Sequence, residues 1–65
     1  MLRLKKFYDL VSGYANIRLV SEDGKTEYYC GRLRSIPDEY DECEVTNFTM
    51  SNDGSITFTL KGVVA

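Results

Sequence analysis

The residues with the most chemical potential in this chain are carboxylates crowded into one short stretch. Of the ten acidic residues, five lie in the seven positions 38–44, which we call the acidic connector. Carboxylates work as a general acid and base only when two of them face each other across a reacting bond. Neighbouring acids on one connecting segment lack that arrangement. The cluster therefore indicates a charged surface rather than a catalytic centre.

The two cysteines, Cys30 and Cys43, lack the partners that nucleophilic or metal chemistry requires. The chain has no histidine to act as their base, and two thiolates alone cannot complete a tetrahedral zinc site. Asp23-Gly24 and Asp53-Gly54 have the form of hairpin turns without the ligand spacing of a calcium loop, and no glycine-rich phosphate loop is present. The sequence predicts that the protein is not an enzyme and uses no metal and no cofactor.

Charge is distributed unevenly along the chain, although the net charge is only −2. Residues 1–20 sum to +3 and residues 38–65 to −5. Three interpretations of the acidic connector stay open: a solvated loop, a surface that meets a basic partner protein, or a surface that docks onto the basic N-terminal segment of another copy. Tyrosine is enriched at binding hot spots, so Tyr40 favours contact. The predicted partner-binding residues are Asp38, Glu39, Tyr40, Asp41 and Glu42.

The segment Leu2 to Val11 has the spacing of an amphipathic helix, followed by Ser12-Gly13 as a stop. Its apolar stripe comprises Leu4, Phe7, Tyr8 and Val11, at i, i+3, i+4 and i+7. Further along, the apolar residues alternate with a period of about two, which is typical of strands. The predicted strands are 15–19, 26–33, 44–50 and 55–61, with hairpin turns at Asp23-Gly24 and Asp53-Gly54. Pro37 ends the second strand and opens a turn or a single helical turn.

These elements predict one α+β domain spanning residues 1–65. An N-terminal helix packs on a twisted four-stranded antiparallel sheet, or a small open barrel, built from two consecutive hairpins. Because a chain of 65 residues buries little apolar surface, self-association through an edge strand, the second or the fourth, is one alternative function. The protein would then be a structural or assembly component of a mobile element and would form a homodimer. Single-strand nucleic-acid binding by Tyr14, Tyr28 and Tyr29 is a second alternative, which the isoelectric point of about 4.9 disfavours.

The order of short motifs resembles small proteins of prophages and other mobile elements of Gram-positive gut bacteria, a group without an established activity. The matching motifs are Glu22-Asp23-Gly24, Tyr29-Cys30-Gly31, Ile36-Pro37-Asp38-Glu39-Tyr40 and Glu44-Val45. The resemblance implies a bacterial cytoplasm and an accessory gene. No membrane-spanning stretch is expected. The leading hypothesis is a non-enzymatic protein-binding module that inhibits a host protein, of bacterial immunity or transcription, through its acidic surface.

Overall fold

Four strands form one open, mixed sheet in the computed structural model, which describes residues 2–63. The strands are β1 (Asn16–Ser21), β2 (Glu27–Arg32), β3 (Glu44–Met50) and β4 (Ile56–Lys61). Their order across the sheet is β2-β1-β4-β3. The two hairpins are antiparallel, whereas the first and last strands run parallel at the centre. The four strands are confirmed, but the all-antiparallel sheet and the barrel were wrong predictions.

The parallel pair forms because both central strands carry alternating apolar residues on the same face. Ile17 lies opposite Ile56, and Leu19 lies opposite Phe58. All four side chains are buried, and a strand reaches such burial most readily with neighbours on both sides. β4 is therefore central, so the predicted choice of the fourth strand as a free edge is wrong. The edges are β2 and β3.

Each hairpin turn is closed by an aspartate that precedes a glycine. The Asp23 carboxylate accepts a hydrogen bond from the Lys25 N–H at 2.9 Å, and Asp53 accepts one from the Ser55 N–H at 3.0 Å. Both following glycines have positive φ, +74° and +89°, which is the conformation that glycine adopts without strain. Two of the ten acids thus have a structural role in turns.

The predicted N-terminal helix is wrong: the chain forms a six-residue 3-10 helix at Leu4–Asp9. The residues before it belong to the sheet, because Arg3 bridges Glu44 and the Leu2 carbonyl accepts from the Val45 N–H at 2.8 Å. The segment between that bridge and the Ser12-Gly13 stop is shorter than the roughly 12 residues at which an isolated helix becomes stable. It also lacks a side-chain cap and an acid in its first turn.

One face of the sheet holds the core, and Phe58 is its largest fully buried side chain. The Phe58 ring lies 5.0 Å from Phe7 and 6.4 Å from Phe48, measured between centroids. The N-terminal 3-10 helix and the connection between β2 and β3 cover this face. The buried residues are Leu4, Phe7, Ile17, Leu19, Leu33, Ile36, Val45, Ile56, Phe58 and Leu60.

That connection carries the chain from one edge of the sheet to the other. Leu33 and Ile36 are buried within it, and two short 3-10 helices shape it, at Leu33–Ser35 and Asp38–Tyr40. The helical turn predicted after Pro37 is confirmed. By crossing the core side, the connection delivers the acidic connector to the end of the sheet where β1 and β4 terminate.

An irregularity in the pairing of β2 lets both of its tyrosines, Tyr28 and Tyr29, lie against the core. The pairing steps from Leu19–Tyr29 to Val20–Glu27, so Tyr28 has no direct partner and forms a bulge. Both Tyr28 and Tyr29 are half-buried against the core. The Tyr29 ring runs along its own strand over Gly31, and its hydroxyl donates to the Arg32 carbonyl at 2.9 Å. A glycine inside a strand often marks a close approach, and here the missing side chain of Gly31 leaves room for the Tyr29 ring.

We expect Gly31→Ala to destabilise the fold by about 1–2 kcal/mol. A Cβ at this position would lie 2.7 Å from the Tyr29 hydroxyl, so the ring must move and give up its hydrogen bond. Urea unfolding of Gly31→Ala, Tyr29→Ala and the double variant measures this coupling. An equal cost of Gly31→Ala with and without the Tyr29 ring would contradict the steric explanation.

Candidate functional site

The acidic connector is fastened to the N-terminal segment by backbone hydrogen bonds. The Leu4 N–H donates to the Cys43 carbonyl at 2.9 Å, and the Lys5 N–H donates to the Asp41 carbonyl at 3.1 Å. These bonds satisfy two N–H groups at the start of the 3-10 helix that would otherwise lack acceptors. The most basic and the most acidic parts of the sequence therefore lie side by side.

Glu42 makes two ion pairs across this junction. Its carboxylate accepts from Arg3 and from Lys5, the latter with an Nζ–Oε1 distance of 2.6 Å. The hydrogen bonds from Lys5 and then Arg3 lower the pKa of Glu42. Because both ion pairs are exposed, solvent and salt screen them. Their main structural effect is to orient the connector against the N-terminal segment.

Asp41 anchors the connector from the other side through Tyr8. The Tyr8 hydroxyl donates to the Asp41 carboxylate at 2.5 Å in a half-buried position. Burial, followed by this hydrogen bond to an anion, raises the pKa of the Tyr8 hydroxyl well above its ordinary value. The phenol is therefore held in its protonated, donating form.

The five predicted contact residues consequently divide into two groups. Asp41 and Glu42 are engaged within the chain, whereas Asp38 and Glu39 are exposed. Tyr40 is half-buried, with its ring centroid 6.1 Å from that of Tyr28. The structure brings all five onto one end of the molecule but leaves only the first two wholly available to a partner.

A concave pocket of about 520 Å³ opens beside the connector. Its acidic rim comprises Glu39, Glu42 and Glu44, and Lys61 is the one basic side chain among its lining residues. Glu44 and Lys61 are not among the contact residues predicted from the sequence. Strand pairing places them opposite each other at the end of the β3–β4 hairpin. The full lining is Glu39, Tyr40, Glu42, Cys43, Glu44, Lys61, Gly62 and Val63.

The two cysteines differ in their surroundings. Burial, and then the negative charge of Glu39, raises the pKa of Cys43, which keeps this pocket thiol protonated. Cys30 is exposed on β2, and both thiols are free. Within residues 2–63, no cluster of three or more histidine, cysteine or carboxylate side chains is arranged to hold a metal ion.

The aromatic platform considered for nucleic-acid binding is dispersed in the structure. Tyr28 and Tyr29 pack against the core, and only Tyr14 is largely exposed, at 64%. The Arg34 guanidinium lies 5.1 Å and that of Arg32 5.8 Å from the Tyr14 ring centre. One tyrosine between two arginines makes a cation–π cluster but not a row of stacking surfaces.

Similarity to known proteins gives no guide to the function of this chain. A scan against protein-family models, a search of curated proteins and a search of solved structures found no match. No helix in the described part of the chain has the length and apolar character needed to cross a membrane.

We expect Tyr8→Phe to destabilise the protein by about 1–3 kcal/mol, because Asp41 loses a charge-assisted hydrogen bond. Because the pKa of Tyr8 is raised in the folded protein, its hydrogen bond contributes fully to stability below pH ~10, where the phenol is protonated in both states. Above that pH the phenol ionises first in the unfolded chain, and the stabilisation is progressively lost. The difference in unfolding free energy between wild type and variant should therefore shrink at high pH. Chemical denaturation at neutral and alkaline pH measures it.

A matched control is Tyr14→Phe, because the Tyr14 hydroxyl makes no hydrogen bond among the described residues and its ring is exposed. This variant should unfold like the wild type at neutral pH. Equal losses from Tyr8→Phe and Tyr14→Phe would contradict the anchoring role of Tyr8.

Proposed function

We propose that this protein is a non-enzymatic binding module whose acidic pocket accepts a lysine or arginine side chain of a partner protein. The observation that carries the proposal is the convergence of Glu39, Glu42 and Glu44 on one pocket. A host protein with a basic surface is the partner that the resemblance to mobile-element proteins suggests. The module would act stoichiometrically, by occupying that surface.

The charges on the rim are only partly compensated within the chain. Glu42 is paired with Arg3 and Lys5, whereas Glu39 and Glu44 have no ion pair among residues 2–63. A guanidinium in the pocket would gain these two carboxylates without breaking an ion pair, and it would share the pocket with Lys61, which lies opposite Glu44. This arrangement supports Glu39 and Glu44, more than Asp41 or Glu42, as the residues that contribute binding energy.

Rigid surroundings make this surface suited to recognition. The connector is held by two backbone bonds to the N-terminal segment, by Tyr8 and by the Tyr40–Tyr28 contact. A partner would therefore meet acids whose positions are largely set before binding, which lowers the entropic cost of association. Association led by charge should also be rapid and strongly weakened by salt.

The test is a titration of the labelled protein with a capped oligoarginine peptide, followed by NMR at low and at physiological ionic strength. We expect shift changes at Glu39, Cys43, Glu44 and Gly62. Glu39→Gln/Glu44→Gln should weaken binding about tenfold, since each exposed charge pair contributes up to about 1 kcal/mol.

The control variant Asp9→Asn/Asp53→Asn removes the same amount of negative charge away from the pocket, because Asp53 lies in the β3–β4 turn at the opposite end of the sheet, where asparagine can still accept the Ser55 N–H bond. It should bind the peptide nearly as well as the wild type. If the control loses as much affinity as the pocket variant, or if shift changes spread evenly over all acidic residues, the peptide senses only net charge. The pocket would then not be the binding site.

A further inference from the structure

Strand β3 is an edge of the sheet, and most of its outer side has no partner. The N-terminal segment covers only its beginning, where Arg3 bridges Glu44 and Leu2 accepts from the Val45 N–H. From Thr46 to Met50, no described residue pairs with the outward backbone groups. Such a row of unused donors and acceptors is a template for a further strand.

Apart from a register shift at Thr46, the same stretch lacks the features that normally protect an edge. No charged residue and no proline occurs between Val45 and Asn52. Two large apolar side chains are displayed there, Phe48 at 56% and Met50 at 70% exposure. Phe48 is held in place from behind by Phe7, with ring centroids 5.8 Å apart. Uncharged, aromatic and threonine-rich strands of this kind pair readily with one another.

The opposite edge, β2, is better protected by its own side chains. The Arg32 carbonyl accepts from the Tyr29 hydroxyl, and the Tyr28 carbonyl accepts a long bond of 3.5 Å from Tyr40. The strand is also interrupted by the bulge at Tyr28. Strand β3 has a comparable irregularity at Thr46, so the bulge does not distinguish the two edges. The difference lies in the β2 carbonyls that accept from tyrosine hydroxyls, and in the regular, uncovered ladder of β3 from Asn47 to Met50.

We infer that β3 pairs with β3 of a second copy of this chain, antiparallel across a two-fold axis, to form a continuous eight-stranded sheet. A two-fold axis places each residue opposite another of the same strand, so any charge near the centre would face its like. The absence of charge from Val45 to Asn52 meets that condition. An antiparallel edge is self-complementary in its hydrogen bonds.

The side chains of β3 also favour a second copy of the chain as its partner. Phe48 and Met50 lie opposite the inward residues Phe58 and Ile56, and therefore on the core side of the sheet. An axis perpendicular to the sheet keeps the core sides of both copies together. The two exposed apolar patches then cover each other, which a polar or charged strand from a foreign protein would not do as well.

The test uses charges on the solvent side of β3, where Asn47 and Thr49 lie opposite Thr59 and Thr57. We expect wild-type protein to sediment with twice the 7.4 kDa mass of the chain at high concentration. Asn47→Lys/Thr49→Lys and Asn47→Glu/Thr49→Glu should each halve that mass. Mixing the two variants should restore it, because unlike charges then face each other across the axis.

The control Asn16→Lys/Ser35→Lys adds the same positive charge away from β3 and should remain dimeric. NMR spectra check that every variant is folded, and dilution of the wild type should shift the amide signals of residues 46–50 but not those of β2. A wild-type mass of one chain at all concentrations would overturn the inference. A dimer that both charged variants preserve would also overturn it.

Discussion

The parallel contact between β1 and β4 is the constraint on which the other features of this small fold depend. A hairpin alone is at best marginally stable in water, and here two hairpins share one core only because their first and last strands are neighbours. With β2 and β3 forced to opposite edges, the chain between them must cross the core face, where Leu33 and Ile36 are buried. The position of the acidic connector follows from that crossing.

The acidic connector stabilises the N-terminal segment with some of its acids and exposes others to solvent. Asp41 and Glu42 hold the N-terminal segment through Tyr8, Arg3 and Lys5, and this attachment fixes the neighbouring acids in place. Asp38 and Glu39 remain exposed. The acids of this one segment therefore differ in what they contact: two hold the N-terminal segment, and two face solvent.

Local pattern was sufficient to predict the strands and turns, since alternation along β4 and the Asp-Gly pairs act over a few residues. It failed where distant segments compete for the same groups. The apolar spacing of Leu4, Phe7 and Tyr8 suits a helix, but bonds to Asp41 and Cys43 draw the segment into a 3-10 form beside the sheet. The parallel pair and the meeting of Glu44 with Lys61 likewise depend on pairing between distant parts of the chain, which no short window contains.

The central place of β4 also has a consequence for the order in which the chain folds. The β1–β2 hairpin can form early, but its buried face receives Phe58 and Leu60 only after nearly the whole described chain exists. During synthesis the ribosome would therefore present an incomplete sheet whose apolar face is exposed until the last strand emerges. Pairing of strands so far apart in sequence slows folding, and this interval is when the nascent chain is most exposed to chaperones and proteases.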